Sequence, residues 1–310
     1  MKRVDTGRDN VSQGVGLIIG AVFLLALADA LVKYLSASIA LWQLYILASL
    51  VSLPTLVGVL FRGNRRHLRV GSLRWIVIRS LLLLLMWIAY YAALPFIPLS
   101  VAAVGIYTTP LFIAILAAMG TDESLSRGVW CAILCGFAGV IVVLRPMGED
   151  FAPQALLPIV AALLYALAMV ATRRYCQREH PLVLALGLNL AFLMAGSLFG
   201  MILAFVDTGH LATMAPFIFA DWRPISIGEL SVVAVYALLL VIVNTAVAQA
   251  YQTAPSSLIG TFDYTYLIFA TLWGYLLFDE MPDAMTGLGM GLILAAGLIV
   301  LQCHSYRQRA

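Results

Sequence analysis

The stretch from Phe23 to Leu35 places a carboxylate, Asp29, and an ammonium, Lys33, four residues apart in a run that is otherwise almost wholly apolar. Acid before base at that spacing is the order that pairs best along a helix. Two further ionisable side chains, Arg79 and Asp263, lie well inside comparable runs. Such groups are costly in hydrocarbon and mark substrate or ion paths by default. Two readings stand for the first pair. Either Lys33 snorkels to a membrane interface while Asp29 neutralises it or caps backbone, or the two gate a path and touch its cargo. Gln43 and Tyr45 are placed to join either arrangement. Arg79 and Asp263 each fall about 10 Å from the same edge of their runs. They either pair and close that side, or Arg79 snorkels inward to join the basic loop while Tyr264 or Thr261 holds Asp263 neutral.

A second group is aromatic and amide: Trp87, Tyr90, Tyr107, Tyr165, Asn244 and Tyr264. Tyr and Trp present a broad apolar face with one hydrogen-bonding tip, which suits small amphipathic solutes better than bare ions or sugars. Trp75, at the start of its run, is expected to anchor at an interface. Tyr107 and Tyr165 lie too deep for that, so they line a path or pack a core. Catalytic sets are missing. His67, His180, His210 and His304 fall outside the apolar runs, there is no HExxH, and Cys131, Cys135, Cys176 and Cys303 have no metal-type spacing. Asp29 and Asp263 differ in depth by too much for an acid dyad. No GxxxxGK[ST] loop is present to hold ATP. We therefore expect no enzyme activity, no metal and no cofactor.

The elements that must position these side chains are membrane helices. The 310 residues are 63% hydrophobic and 11% charged, an apolar excess that belongs to membrane proteins. Ten spans are predicted, at about 15–35, 40–61, 72–94, 100–120, 127–145, 153–172, 182–205, 229–250, 256–278 and 284–302, each near the ~20 residues a bilayer requires. Fourteen of the eighteen Lys and Arg fall on the side of the termini, so both termini are expected in the cytoplasm. The basic N-terminus, apolar run and small residues at Ser36–Ser38 have the outline of a signal peptide. The first span has an internal counterpart, however, and is expected to stay. Nucleic acid is not an expected partner; a small solute and membrane lipid are, with the chain a monomer or weak homodimer.

The chain repeats itself. PLSVAAVGIYTTPLF (98–112) aligns with PSSLIGTFDYTYLIF (255–269), matching Pro98 to Pro255, Tyr107 to Tyr264 and Phe112 to Phe269 at one constant offset. The same offset matches Asp122–Glu123 to Asp279–Glu280, and Trp87 to Asn244. ALADALVK (26–33) aligns with ALAMVATR (166–173), setting Asp29 against Met169. Spans 1–5 thus recur as spans 6–10, with residues 1–145 and 146–310 as the two copies. Five is odd, so the second copy is inverted, an architecture typical of secondary transporters that hold cargo near the midplane. Gly16–Gly20 and Gly287–Gly291 have small-xxx-small spacing, expected to let helices approach. Pro110, mid-span, is expected to kink span 4 and serve as a hinge.

The segments 90–119 with Asp122–Glu123, and 249–282, resemble the EamA-type signature of the drug/metabolite transporter superfamily, and the resemblance covers essentially the whole chain. It implies an all-α fold of ten helices in two inverted five-helix repeats and movement of small metabolites. The chain is most similar to bacterial inner-membrane amino-acid exporters, including those for aromatic amino acids, which implies outward transport. Leu267 stands where the repeat of Pro110 would be, so the two fourth spans need not bend alike. A lipid carrier is the alternative on the same scaffold, with the basic loop 62–74 as its headgroup site; an intramembrane enzyme is the remote one.

Overall fold

The computed structural model describes residues 11–62, 71–119, 127–144, 152–176, 179–206, 208–253, 259, 262 and 264–309. The helices are α1 (Val11–Leu35), α2 (Leu41–Arg62), α3 (Leu73–Ala93), α4 (Leu99–Ile106), α5 (Thr109–Met119), α6 (Arg127–Leu144), α7 (Leu157–Tyr175), α8 (Pro181–Leu203), the short α9 (Gly209–Met214) and α10 (Pro216–Phe219), α11 (Ile227–Thr253), α12 (Thr265–Phe278) and α13 (Ala284–Arg309). No strand occurs among the described residues. Six helices are long and apolar enough to cross a membrane, and the apolar stretches Leu99–Ile113, Leu134–Leu144, Thr265–Phe278 and Ala284–Ala296 join them. Together they fall on the ten predicted spans, and the protein is an all-α polytopic membrane protein. Below, the proximal face is the one where α1 begins and the distal face the one where it ends.

Helix neighbours follow the repeat. α1 packs on α11 and α12, and its counterpart α7 packs on α3 and on α4 and α5. α2 packs on its own counterpart α8, and α6 on its counterpart α13. Exchanging the halves maps this set of contacts onto itself, as a pseudo-two-fold axis requires. The largest buried cluster runs along that axis, from Ile18 and Val22 on α1 through Trp87 and Tyr91 on α3 to Tyr264 and Ile293.

Span 4 breaks rather than bends. α4 ends at Ile106, Tyr107 and Thr108 form a turn, and α5 resumes at Thr109. Proline has no N–H for the carbonyl four residues back and its ring crowds that carbonyl. For Pro110 that carbonyl belongs to Ile106, and Thr109 Oγ1 donates to it at 2.6 Å; Thr108 Oγ1 donates to Gly105 O at 2.8 Å. Hydroxyls thus replace the lost amide, which is how interrupted helices are tolerated in membranes.

The glycine spacing is corrected. Gly16, Gly20, Gly287 and Gly291 are exposed, and a Cβ at any of them would meet nothing within 4 Å. The close approach lies elsewhere, where α6 crosses α13. A Cβ on Gly289 would sit 2.2 Å from Val143 Cγ2 and 2.7 Å from the Gly139 carbonyl oxygen, and one on Gly139 would sit 2.8 Å from the Gly289 carbonyl oxygen. Backbone cannot yield there, so Gly289→Val is expected to cost about 1–3 kcal/mol or more by overpacking. A lowered melting temperature in detergent, with Gly287→Val unchanged, is the expected pattern; equal melting for both would remove the contact's importance.

Candidate functional site

Asp29 is 1% exposed, and its surroundings are phenolic. Tyr266 Oη donates to Asp29 Oδ2 at 2.5 Å, and Tyr91 Oη donates to Oδ1 at 3.3 Å. With the Tyr266 proton committed to the carboxylate, Tyr90 is the donor in the 2.7 Å contact between Tyr90 Oη and Tyr266 Oη. Tyr236 Oη in turn donates to Tyr91 Oη at 3.3 Å. Four tyrosines from α3, α11 and α12 therefore converge on one carboxylate of α1. Hydrogen bonds to both oxygens offset part of the desolvation that burial imposes on a carboxyl group.

Lys33 does not pair with Asp29. Its ammonium bonds Glu280, donates to the Ile97 carbonyl at 2.8 Å, and lies 5.4 Å from the Phe278 ring centroid. The other Glu280 oxygen accepts from the Leu99 amide at 2.9 Å, at the start of α4. The end of α1, the start of α4 and the end of α12 are latched at the distal face by one ion pair. Asp279 turns the chain there, with a left-handed φ of 53°. The four-residue spacing misled because a lysine at a helix end reaches sideways as readily as backward, and a neighbouring helix offered a carboxylate at the interface. Gln43 and Tyr45 join neither residue: Gln43 Nε2 donates to the Arg223 carbonyl at 2.6 Å, and Tyr45 stacks on Phe192 at 4.7 Å.

A cavity opens beside Asp29, lined by α1, α3, α4, α5, α7, α11 and α12. Of the residues expected from sequence, Asp29, Arg79, Trp87, Tyr90, Tyr107, Tyr165 and Asn244 all reach it. Tyr264 does not; it packs beside Tyr107 with ring centroids 5.6 Å apart. Asp263 and Asp122–Glu123 lie outside the described residues, as does the side chain of Pro110. The wall is laid out by the repeat. Trp87 faces Asn244 as its counterpart, Tyr90 faces Val247, and Thr109 faces Tyr266, all at the offset that relates Pro98 to Pro255. Leu25 and Tyr165, and Asp29 and Met169, are matched in the same way between α1 and α7. The cavity therefore straddles the pseudo-two-fold axis. It offers about 70 Å³ to the centres of water molecules, room for a few waters at about 10–15 Å³ each. Larger cargo requires the helices to part.

Arg79 forms the polar corner at the opposite end of α3 from Tyr90. It is 5% exposed; its Nε donates to Thr172 Oγ1 at 2.8 Å, and the Thr172 hydroxyl donates to the Ala168 carbonyl at 2.7 Å. Arg79 does not snorkel free of the bundle. Trp75, near the proximal end of α3, stacks face to face on Tyr175 at 3.6 Å rather than standing alone. Glu179 accepts from the Gly71 and Ser72 amides at 3.1 and 2.8 Å, tying the α7–α8 turn to the start of α3. Sequence reasoning missed Tyr91, Tyr236, Tyr266 and Glu280. The repeat carried a signal for Tyr266, since its counterpart Thr109 sits beside Tyr107 in the first copy.

Residues 12–145 and 153–302 each match the EamA-like transporter family. The chain is 30% identical over 275 residues to the riboflavin transporter of Rhizobium johnstonii, covering 88% of this chain and 83% of that protein. It is 25% identical over 289 residues to the pseudopaline exporter CntI of Pseudomonas aeruginosa, covering 93% and 95%. It is 22% identical over 294 residues to the S-adenosylmethionine uptake transporter of Rickettsia bellii, covering 94% of each. One solved crystal structure superposes with a TM-score of 0.65 at 19% identity, over 94% of this chain and 97% of that one, and shares the fold.

Proposed function

The chain belongs to the EamA-like transporter family and is a transporter of small molecules; from that premise we propose that it exports amphipathic solutes joining an aromatic ring to an amino-acid head, aromatic amino acids among them, by alternating access. The observation that carries the reading is the cavity on the pseudo-two-fold axis, walled by Trp87, Tyr90, Tyr107 and Tyr165 and bearing one carboxylate and one guanidinium. Aromatic walls take a ring by its face and edge. The guanidinium gives the carboxylate of the head a place to bind. The names of the relatives support the chemistry in part: riboflavin is a planar heteroaromatic, and S-adenosylmethionine is an amino acid that carries a purine.

In this reading residues 1–145 and 146–310 are inverted copies that rock about the cavity, with both termini in the cytoplasm. Tyr107 and Thr108, ahead of Pro110, are the hinge of span 4. The ion pair of Lys33 and Glu280 would then be the latch that holds the distal face, external in this reading, shut. The sequence carries no GxxxxGK[ST] loop, so flux is expected without nucleotide.

The test is flux into and out of proteoliposomes, with a panel of aromatic and aliphatic amino acids, riboflavin and S-adenosylmethionine, each with and without an imposed proton gradient. Tryptophan, tyrosine or phenylalanine is expected to move fastest. Flux of riboflavin alone, with every amino acid inert, would transfer the cavity to flavins and end the amino-acid reading.

A further inference from the structure

We propose that Arg79 is the carboxylate-binding subsite of the cavity, so that cargo lies lengthwise with its carboxylate toward the proximal face and its ring toward Asp29. The inference rests on the reading above and adds to it an orientation and an anionic group. Arg79 is more than nine-tenths buried and lines the cavity. Among the described residues only its Nε is engaged, by Thr172, and Nη1 is buried without a hydrogen-bond partner. A guanidinium has five donors and remains charged at any physiological pH. Leaving such donors dry and unpaired is costly, and no acidic side chain bonds Arg79 among the described residues. Asp29, the other charged group of the same wall, is committed to Tyr266 and Tyr91.

The planar fork of a guanidinium matches a carboxylate with two parallel hydrogen bonds. Thr172 fixes that fork: its oxygen holds Nε, while its own proton goes to the Ala168 carbonyl. Nη1 is thereby left for a ligand in the cavity. Spacing then limits the ligand. Arg79 and Tyr91 stand about 18 Å apart along α3, and Tyr91 touches Asp29. Arg79 and Asp29 therefore do not grip the amine and carboxylate of a single α-carbon together. A solute with a carboxylate at one end and a ring at the other reaches from Arg79 along Trp87 and Tyr90, its ring directed toward the Asp29 end.

The experiment is calorimetric binding of indole-3-propionate and of its amide to the full-length protein in detergent. Wild type is expected to bind the acid at least about 10-fold tighter than the amide. Arg79→Gln is expected to bring the two to equal affinity by weakening the acid alone, the unchanged amide serving as the check on folding. Arg79→Lys, which keeps charge without the fork, and Thr172→Val, which frees Nε, are expected to retain only part of the preference. Equal affinities in wild type, no binding of either compound, or a preference unaltered in all three variants would overturn the assignment. If wild type prefers the acid yet no amino acid is moved in the flux panel, the subsite survives and the amino-acid reading fails.

Discussion

Asp29→Asn is expected to reduce substrate flux by about 100-fold or more, equivalent to about 2.7 kcal/mol, while the protein stays folded. Asparagine has the shape of aspartate and keeps a carbonyl oxygen for the Tyr266 hydroxyl, and its amide can face Tyr91, whose oxygen can also accept. The phenolic cluster therefore survives the exchange. What goes is the capacity to carry negative charge or a proton at a point where the chain otherwise buries leucine and alanine. An intramembrane carboxylate that served only as a hydrogen-bond acceptor could be replaced at little cost, and full activity of Asp29→Asn would reduce it to that. Asp29→Leu is a harsher change. It leaves the hydroxyls of Tyr266 and Tyr91 without their acceptor, at about 1–3 kcal/mol each, so both flux and melting temperature should fall. Flux assayed with and without a proton gradient separates the two roles open to the charge. Exchange that persists but no longer responds to the gradient assigns Asp29 to proton coupling; loss of all exchange assigns it to cargo.

The second large effect is expected at the latch. Lys33 and Glu280 have side chains 13% and 22% exposed, so their ion pair is shielded well enough to matter, unlike most surface pairs. Each partner also holds backbone: Lys33 the Ile97 carbonyl, Glu280 the Leu99 amide. Lys33→Met or Glu280→Gln should loosen the distal face and raise access to the cavity from that side by on the order of 10-fold, equivalent to about 1.4 kcal/mol. The reporter is a cysteine at Leu25 in a background whose native cysteines are replaced, labelled by a maleimide that cannot cross the membrane. Because the two side chains act through one contact, the double variant should label no faster than the sum of single effects allows, and in practice close to either alone. Labelling rates that match wild type in both single variants would show that packing, not the ion pair, keeps this face shut.

Much of the architecture was legible in the residues. Hydrophobic runs of span length, basic connections on one side, and Pro, Tyr and Asp-Glu recurring at one offset carry the ten helices and their pairing. The cavity wall was legible where depth and repeat coincided, as for Trp87 and Asn244. The partners of the charges were not. Lys33 and Glu280 are 247 residues apart, and a spacing rule that sees only one helix finds Asp29 instead. Tyr91 and Tyr236 went unmarked because nothing in a linear run says which faces of α1, α3 and α11 meet. The glycine spacing failed for a related reason: a stripe of small residues marks a face that can approach, and Gly287 and Gly291 turn away from the one helix, α6, that α13 meets most closely.

Asp29 has methionine as its counterpart across the axis, and Arg79 likewise stands without a basic partner in α11. A carrier built of two identical halves would present the same half-saturation constant to either compartment. On the proposed assignment, cargo leaving toward one face would pass the Asp29 carboxylate, and toward the other the Arg79 guanidinium. Without an energy source the equilibrium distribution cannot depend on that difference, since the ratio of maximal velocities must offset the ratio of half-saturation constants. The difference instead sets where each side saturates: the side that binds more tightly saturates at the lower concentration and with the lower maximal rate, and the other saturates later and runs faster.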